Sequence, residues 1–122
     1  MNFAELEQVN AEVNALPYVD DAARYGEPEF WERIDAGGGD CEDYALGKLN
    51  ALLARGWPIA ALRLACCYVE TGEYHGVLLA DLGGQTYVLD NRHPRVMEYN
   101  LMNYKFDRWQ KAAGSREWVS NG

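Results

Sequence analysis

The segment GGGDCEDYALGKLNALLARGWP, residues 37–58, constrains the fold more than any other part of the sequence. Three glycines interrupt regular structure, and Asp40 directly after them is a natural N-cap for a helix. Glu42 and Asp43 then fall in the first turn, where the helix dipole favours negative charge. Apolar residues then recur at helical spacing, at Ala45, Leu49, Leu52 and Leu53. Gly56 follows them and is expected to end the helix. The segment therefore predicts a helix with Cys41 in its first turn.

Helices are also predicted ahead of this segment. Residues 3–16 place apolar side chains at helical spacing, and Pro17 follows the pattern. Pro28 opens the stretch PEFWERID and is a good first-turn residue for a second helix.

Beyond Pro58 the pattern changes to strands, at residues 62–70, 74–81 and 86–91. Short turns separate these strands, so neighbouring strands should pair antiparallel. Both faces carry apolar residues, so helices should cover at least one face. The aromatic-rich tail after Pro94 predicts a further strand or a packing arm. We therefore expect one α+β domain over residues 1–122, with helices first and an antiparallel sheet second.

The overall charge excludes several functional classes. The 122 residues carry a net charge of −8 and show no Lys/Arg patch, so nucleic-acid binding and a basic membrane-binding helix are not expected.

No apolar run approaches the roughly 18 residues of a membrane span. The N-terminus lacks a positive stretch followed by an apolar core, so we expect no signal peptide and a cytoplasmic location as encoded.

The three cysteines favour reduced thiols over a disulfide framework. Cys66 and Cys67 are adjacent, and in a strand their side chains would point to opposite faces. Cys41, in contrast, would lie at the start of a helix, where backbone N–H groups and the dipole favour a thiolate.

A cysteine nucleophile needs a base and a group that orients the base. Of the two histidines, His75 opens one predicted strand, and Asp90 closes the next. A two-residue turn on Gly83 and Gly84 places Asp90 opposite Val77, on the same face as His75 and one diagonal step away. A turn centred on Leu82 and Gly83 instead places Asp90 directly opposite His75. A three-residue loop without a bulge would put the two side chains on opposite faces.

Each of these residues also has an ordinary structural explanation. A lone histidine on a strand is usually just hydrogen-bonded, and a lone cysteine at a helix start is often a small buried hydrophobe. His93, beside Pro94 in a loop, fits a surface residue. Trp31 could shape a cleft, although an aromatic residue in an amphipathic helix more often belongs to the core. The combination of Cys41, His75 and Asp90 carries the catalytic hypothesis.

The acids around Cys41 allow two interpretations. Asp40, Glu42 and Asp43 are what a stable helix start requires, yet three carboxylates would raise the pKa of the neighbouring thiol. A bound cation would reverse this effect, and hard oxygen ligands suit calcium. The spacing is not that of an EF-hand loop.

These motifs together resemble the LapG-type bacterial transglutaminase-like cysteine peptidases. The resemblance rests on GDCEDYA (39–45) with Lys48 and Leu49 after it, on His75 before VLL, and on YVLDN (87–91). It implies a papain-like, transglutaminase-type fold with Cys41 as nucleophile, His75 as base and Asp90 as the residue that orients it.

The resemblance also implies a cofactor and a substrate. Asp40, Glu42 and Asp43 match family positions that bind calcium, and the family cleaves a peptide bond in large surface adhesins in the periplasm. The sequence as given, with no expected export signal and a short length, differs from what the resemblance leads us to expect, and a phage-encoded form is a further alternative. The leading hypothesis is a thiol-dependent peptidase with a protein or peptide substrate. Transglutaminase-type acyl transfer to an amine and a non-catalytic protein-binding module that kept the fold remain the alternatives.

Overall fold

The computed structural model describes residues 1–15, 41–110 and 118–120, with the backbone alone at 41–43, 118 and 120. The helix predicted from Pro28 and the glycine run before Asp40 lie outside the described residues. Within them, two α-helices precede a six-stranded antiparallel sheet. The predicted α+β arrangement is therefore confirmed for this part of the chain.

The first helix, α1, spans Phe3–Asn14, and the side chain of Asn2 caps it by accepting a hydrogen bond from the Glu5 N–H at 2.9 Å. Its buried positions follow helical spacing and comprise Leu6, Val9, Asn10 and Val13. The second helix, α2, spans Cys41–Ala54. Gly56 ends it as predicted, with a φ of +92° that glycine adopts without steric cost.

The strands are β1 (Leu62–Tyr68), β2 (Tyr74–Leu82), β3 (Gln85–Leu89), β4 (Met97–Glu98), β5 (Lys105–Gln110) and β6 (Trp118–Ser120). Their order across the sheet is β4-β3-β2-β1-β5-β6. The aromatic tail thus supplies the predicted further strand, and β5 pairs with β1 on the side of β1 opposite to β2. A short 3-10 helix, Tyr99–Leu101, precedes β5.

Alternation along the strands gives the sheet two apolar faces. One face packs against both helices, and Cys66 belongs to it together with Leu64 and Leu78. Cys67 belongs to the other face with Val77 and Phe106, where partly buried aromatic side chains from the C-terminal third cover it. The prediction that the adjacent cysteines face opposite ways is confirmed.

The β2–β3 hairpin turns on Gly83 and Gly84, whose φ angles are +60° and +83°. Two positive φ values in a two-residue loop match the twist of the flanking strands. Leu82 pairs with Gln85 and Leu78 with Leu89, so the first of the two registers considered above is the observed one. Continuing this ladder by one residue puts Asp90 opposite Val77.

A side chain at Gly84 should destabilise the fold, because residues other than glycine adopt this φ at a cost of roughly 1–2 kcal/mol. We expect Gly84→Ala to lower the free energy of unfolding in urea by about that amount. Gln85→Ala, at the neighbouring exposed position, is the control and should change stability by less than about 0.5 kcal/mol. Equal stability of the two variants would contradict the glycine requirement.

Candidate active site

Cys41 is the first residue of α2, a helix of 14 residues. The backbone therefore places it where main-chain N–H groups are not used within the helix and the dipole is positive. The side chains of Cys41, Glu42 and Asp43, and all of Asp40 and Trp31, lie outside the described residues. Contact between the Cys41 sulfur and the other predicted site residues stays a prediction.

His75 and Asp90 are in direct contact, with His75 Nε2 and Asp90 Oδ1 separated by 2.6 Å. Both are almost inaccessible to solvent, at 7% and 1% exposure. They lie on the sheet face of Val77 and Val88, at the end where β2 begins and β3 stops. The glycine turn brings them together, since it sets the register between the two strands.

The Asp90 carboxylate accepts further hydrogen bonds on both oxygens. The backbone N–H of Arg92 donates to Oδ1 at 3.0 Å, and the Tyr104 hydroxyl donates to Oδ2. Burial by itself would raise the pKa of Asp90, but the hydrogen bonds from His75, Arg92 and Tyr104 outweigh it, and the pKa lies below its ordinary value. Asp90 is therefore ionised at neutral pH.

An ionised carboxylate accepts hydrogen bonds and donates none. In the neutral imidazole the His75 proton must then reside on Nε2, facing Asp90 Oδ1. This leaves Nδ1, on the other side of the ring, as the nitrogen with a lone pair that can accept a proton. A histidine held in one tautomer by a buried carboxylate is the arrangement that a cysteine nucleophile requires.

Helix α1 fixes the loop that carries Asp90. The side-chain amide of Asn14 donates to the Asp90 carbonyl at 3.1 Å, and that of Asn10 donates to the His93 carbonyl at 3.0 Å. Sequence reasoning did not single out these residues. Asn10 lies next to Val9 on the apolar stripe of α1, and a polar residue there is a signal that it has a buried partner. His93, predicted as a surface residue, is half-buried and contributes its backbone carbonyl.

Arg92 connects Asp90 to the surface. Its guanidinium forms two hydrogen bonds to Glu70, at 2.5 and 3.1 Å, and one to the Tyr104 hydroxyl oxygen at 3.0 Å. The Arg92 hydrogen bond lowers the pKa of Glu70 to about 2. Glu70 and Tyr104 also line an open cleft of about 440 Å³, with Tyr68, Gly72, Met102 and Lys105 among its other walls. A second cavity of about 200 Å³, beside Arg63 and Trp109, has no residue that hydrogen-bonds to Asp90.

Lys48 is buried in α2 with 1% exposure. It follows Cys41 by seven residues, or about two helical turns, and so lies on nearly the same side of the helix. Burial lowers the pKa of Lys48 to about 7, although the negative charge of Asp90 acts in the opposite direction. The protonated form of Lys48, on the helix that begins at Cys41, thus interacts with Asp90.

Among the described residues no cluster of three or more His, Cys, Asp or Glu side chains could hold a metal ion. The side chains of the predicted calcium ligands Asp40, Glu42 and Asp43 are not among the described ones. The helices of the described ranges are all too short or too polar to cross a bilayer.

The fold and the buried histidine–aspartate pair, with a cysteine opening the packed helix, define the class of transglutaminase-like cysteine hydrolases. A family model, bacterial transglutaminase-like cysteine proteinase, matches residues 1–122, and the chain belongs to this family. The family expected from the sequence is confirmed. No curated protein matches the chain in sequence.

Solved structures of Legionella pneumophila LapG are similar. An EGTA-treated form is 24% identical with a TM-score of 0.69, covering 98% of this chain and 67% of that one. A calcium-bound form is 28% identical with a TM-score of 0.65, covering 87% and 63%. A third is 27% identical with a TM-score of 0.65, covering 87% and 62%. The chain thus spans 62–67% of the length of these relatives, and the expected transglutaminase-like fold is confirmed.

The buried Lys48 predicts a specific pH dependence of stability. Its pKa is about 7 in the folded protein and about 10.4 in an unfolded chain. Below pH 7 both states are protonated, so the cost of the buried charge is fully present. Between pH 7 and 10.4 the unfolded state binds more protons, so stability rises with pH. We expect urea unfolding from pH 6.5 to 9.5 to show about 3 kcal/mol more stabilisation in the wild type than in Lys48→Met.

The matched control for this prediction is Lys105→Met, because Lys105 is exposed. It should keep the wild-type pH profile. A Lys48→Met variant with the same pH dependence as the wild type would show that Lys48 stays charged in the folded protein.

Proposed function

We propose that this protein is a cysteine peptidase that hydrolyses an amide bond of a protein or peptide substrate through Cys41, His75 and Asp90. The observation that carries the proposal is the buried 2.6 Å hydrogen bond between His75 and Asp90, with Cys41 opening a helix in a chain of this family. Helix α2 packs against β2 on one face of the sheet, whereas His75 and Asp90 lie on the other. The proposal therefore requires Cys41 and His75 to meet around the end of the sheet.

The reaction follows from the tautomer of His75. Nδ1 takes the proton of the Cys41 thiol, and the thiolate attacks the carbonyl carbon of the substrate amide. The backbone N–H of Cys41 donates a hydrogen bond to the oxyanion that forms. His75 then gives the proton to the leaving nitrogen, so that the amine departs and a thioester remains on Cys41. A water molecule deprotonated by His75 attacks the thioester, and the carboxylic acid is released with regeneration of the thiol.

The cleft beside Glu70 and Tyr104 is the part of the described surface from which a substrate would approach this site. Its open form suits a polypeptide segment better than an enclosed small molecule. The resemblance to the family makes a surface adhesin the candidate substrate.

Calcium is the proposed cofactor. LapG has been solved in calcium-bound and EGTA-treated forms, and Asp40, Glu42 and Asp43 offer the hard oxygen ligands that calcium prefers. Bound there, the ion would offset the negative charge around Cys41. The residues of the reaction itself remain Cys41, His75 and Asp90.

Replacing the nucleophile tests the proposed reaction. We expect Cys41→Ala to reduce cleavage of fluorescein-labelled casein by at least about 10³-fold, because the three residues act as a unit. Cys66→Ala, on the helix-covered face of the sheet, is the control and should retain cleavage. Comparable turnover in Cys41→Ala and wild type would exclude the thiol mechanism.

The products of the same assay separate the alternatives. Incorporation of a dansylated primary amine in place of hydrolysis would indicate acyl transfer. No turnover together with a Cys41 alkylation rate that is the same in wild type and His75→Ala would indicate a binding module, whereas fast alkylation of Cys41 that is lost in His75→Ala supports the peptidase.

Calcium binding should appear as stabilisation, because a ligand that binds only the folded state raises its stability. A calcium concentration of about 100 times the dissociation constant would add about 2.7 kcal/mol. We expect the melting temperature to rise with millimolar calcium, to fall again with EGTA, and not to respond in Asp40→Asn or Asp43→Asn. Glu12→Gln, an exposed acid on α1, is the control that keeps the response. An unchanged wild-type melting temperature would leave the three acids as helix caps.

A further inference from the structure

Tyr104 occupies a position between Asp90, Arg92 and His75. It immediately precedes β5, and its hydroxyl donates to Asp90 Oδ2. Its ring meets the His75 ring edge to face, with centroids 6.1 Å apart and planes at 81°. The Arg92 guanidinium carbon lies 5.6 Å from the centre of the Tyr104 ring. One side chain thus contacts both members of the buried pair and the cation beside them.

The direction of the hydrogen bonds in this group is fixed by chemistry. A guanidinium only donates, so the Arg92 hydrogen bond at 3.0 Å engages a lone pair of the Tyr104 oxygen. The hydroxyl proton is then directed to Asp90, which only accepts. Glu70 in turn holds Arg92 with two hydrogen bonds. The hydrogen bonds therefore run in one direction, from Arg92 to the Tyr104 oxygen and from the Tyr104 hydroxyl to Asp90.

Tyr104 supplies the one hydrogen bond to Asp90 Oδ2 among the described residues, whereas Oδ1 receives His75 and the Arg92 N–H. Without this bond the carboxylate could rotate, and Oδ2 could compete with Oδ1 for the imidazole. Within the part of the chain that the structure describes, the charged and titratable groups that act on Asp90 are His75 from β2, Lys48 from α2, Arg92 from its own loop, and Tyr104. Tyr104 alone among them has a ring against His75 as well as a hydrogen bond to Asp90.

We propose that Tyr104 is a positioning residue of the peptidase: its hydroxyl, directed by Arg92, fixes the Asp90 carboxylate and thereby the orientation of the His75 ring. The inference rests on the proposed function, because it assigns Tyr104 a part in presenting His75 Nδ1 to Cys41. Tyr104 touches neither the substrate bond nor the sulfur in this role. Its effect passes through Asp90.

The first test is Tyr104→Phe, which keeps the ring and removes the hydroxyl. We expect kcat for casein cleavage to fall roughly 10- to 100-fold, as for other partners one step removed from a reacting group. KM should change less than twofold, because the ring of residue 104 that lines the cleft is kept. Tyr99→Phe is the matched control, because Tyr99 packs on Phe106 at 4.4 Å, forms no hydrogen bond to Asp90 and should leave kcat unchanged. Equal kcat values for Tyr104→Phe and Tyr99→Phe would overturn the proposal.

A double-mutant cycle separates positioning from a general effect on folding. In an Asp90→Asn background, Tyr104→Phe should change kcat less than twofold, because the carboxylate through which Tyr104 acts has gone. Multiplicative losses in the double variant would mean that Tyr104 acts independently of Asp90, and the proposal would fail. Urea unfolding of each variant verifies that the measured protein is folded.

The His75 ring gives a readout that needs no substrate. Because Asp90 remains an ionised acceptor in Tyr104→Phe, the neutral imidazole should keep its proton on Nε2 in both proteins. Nitrogen-15 NMR should show one sharp set of His75 ring signals in the wild type and an exchange-broadened or doubled set in Tyr104→Phe, because the carboxylate and the ring are no longer fixed. The chain has two histidines, so His93→Gln identifies the His75 signals. Ring signals in Tyr104→Phe that are as sharp and single as in the wild type would refute the positioning role even if the peptidase is active. Conversely, a wild type without peptidase activity whose His75 signals broaden or double in Tyr104→Phe would refute the proposed function and retain the control of His75 by Tyr104.

Discussion

The buried negative charge of Asp90 is the constraint around which the site is organised. A carboxylate with 1% exposure is stable only when hydrogen-bond donors replace the water it has lost. Here the donors come from three separate parts of the chain: His75 on β2, Tyr104 ahead of β5, and the backbone of Arg92. Each donor is thereby oriented by the same charge. The tautomer of the imidazole, on which the proposed chemistry depends, follows from electrostatics that already stabilise the folded chain.

The register of the β2–β3 hairpin brings His75 and Asp90 to the same face of the sheet. A two-residue turn gives β2 and β3 a fixed register, and side chains two residues apart share a face. Helix α1 then anchors the residue that follows β3 through the Asn14 amide, so the carboxylate has little freedom of its own. The asymmetric covering of the sheet, helices on one face and aromatic side chains on the other, keeps the pair away from water.

Features of the fold and the site that depend on a few neighbouring residues could be predicted from the sequence, whereas features that depend on distant parts of the chain could not. The stop at Gly56 and the opposite orientation of Cys66 and Cys67 follow from backbone rules that act over a few residues, and the sequence predicts both. For the β2–β3 hairpin the sequence left two positions of a two-residue turn open, and the structure has the one on Gly83 and Gly84. The pairing of β5 with β1 joins residues far apart in sequence, and no local pattern encodes it. The pairing of β5 with β1 brings Tyr104 to the site. Because no local pattern predicts this pairing, the sequence showed Tyr104 only as one of several aromatic residues in the tail. Lys48 was noted only as part of the motif after Cys41. Its burial could not be predicted, because it depends on how α2 packs on the sheet.

The β2–β3 hairpin also sets an order in which the site is built. His75 and Asp90 are separated by 15 residues, so closing the loop between them costs little chain entropy, and hairpins form within microseconds. The partnership of β1 with β5 is a contact of high sequence separation and is correspondingly slow to form. In a polypeptide still leaving the ribosome, His75 and Asp90 would therefore come into contact before Tyr104 reaches them. The last stage of folding then restrains a pair of side chains that has already formed.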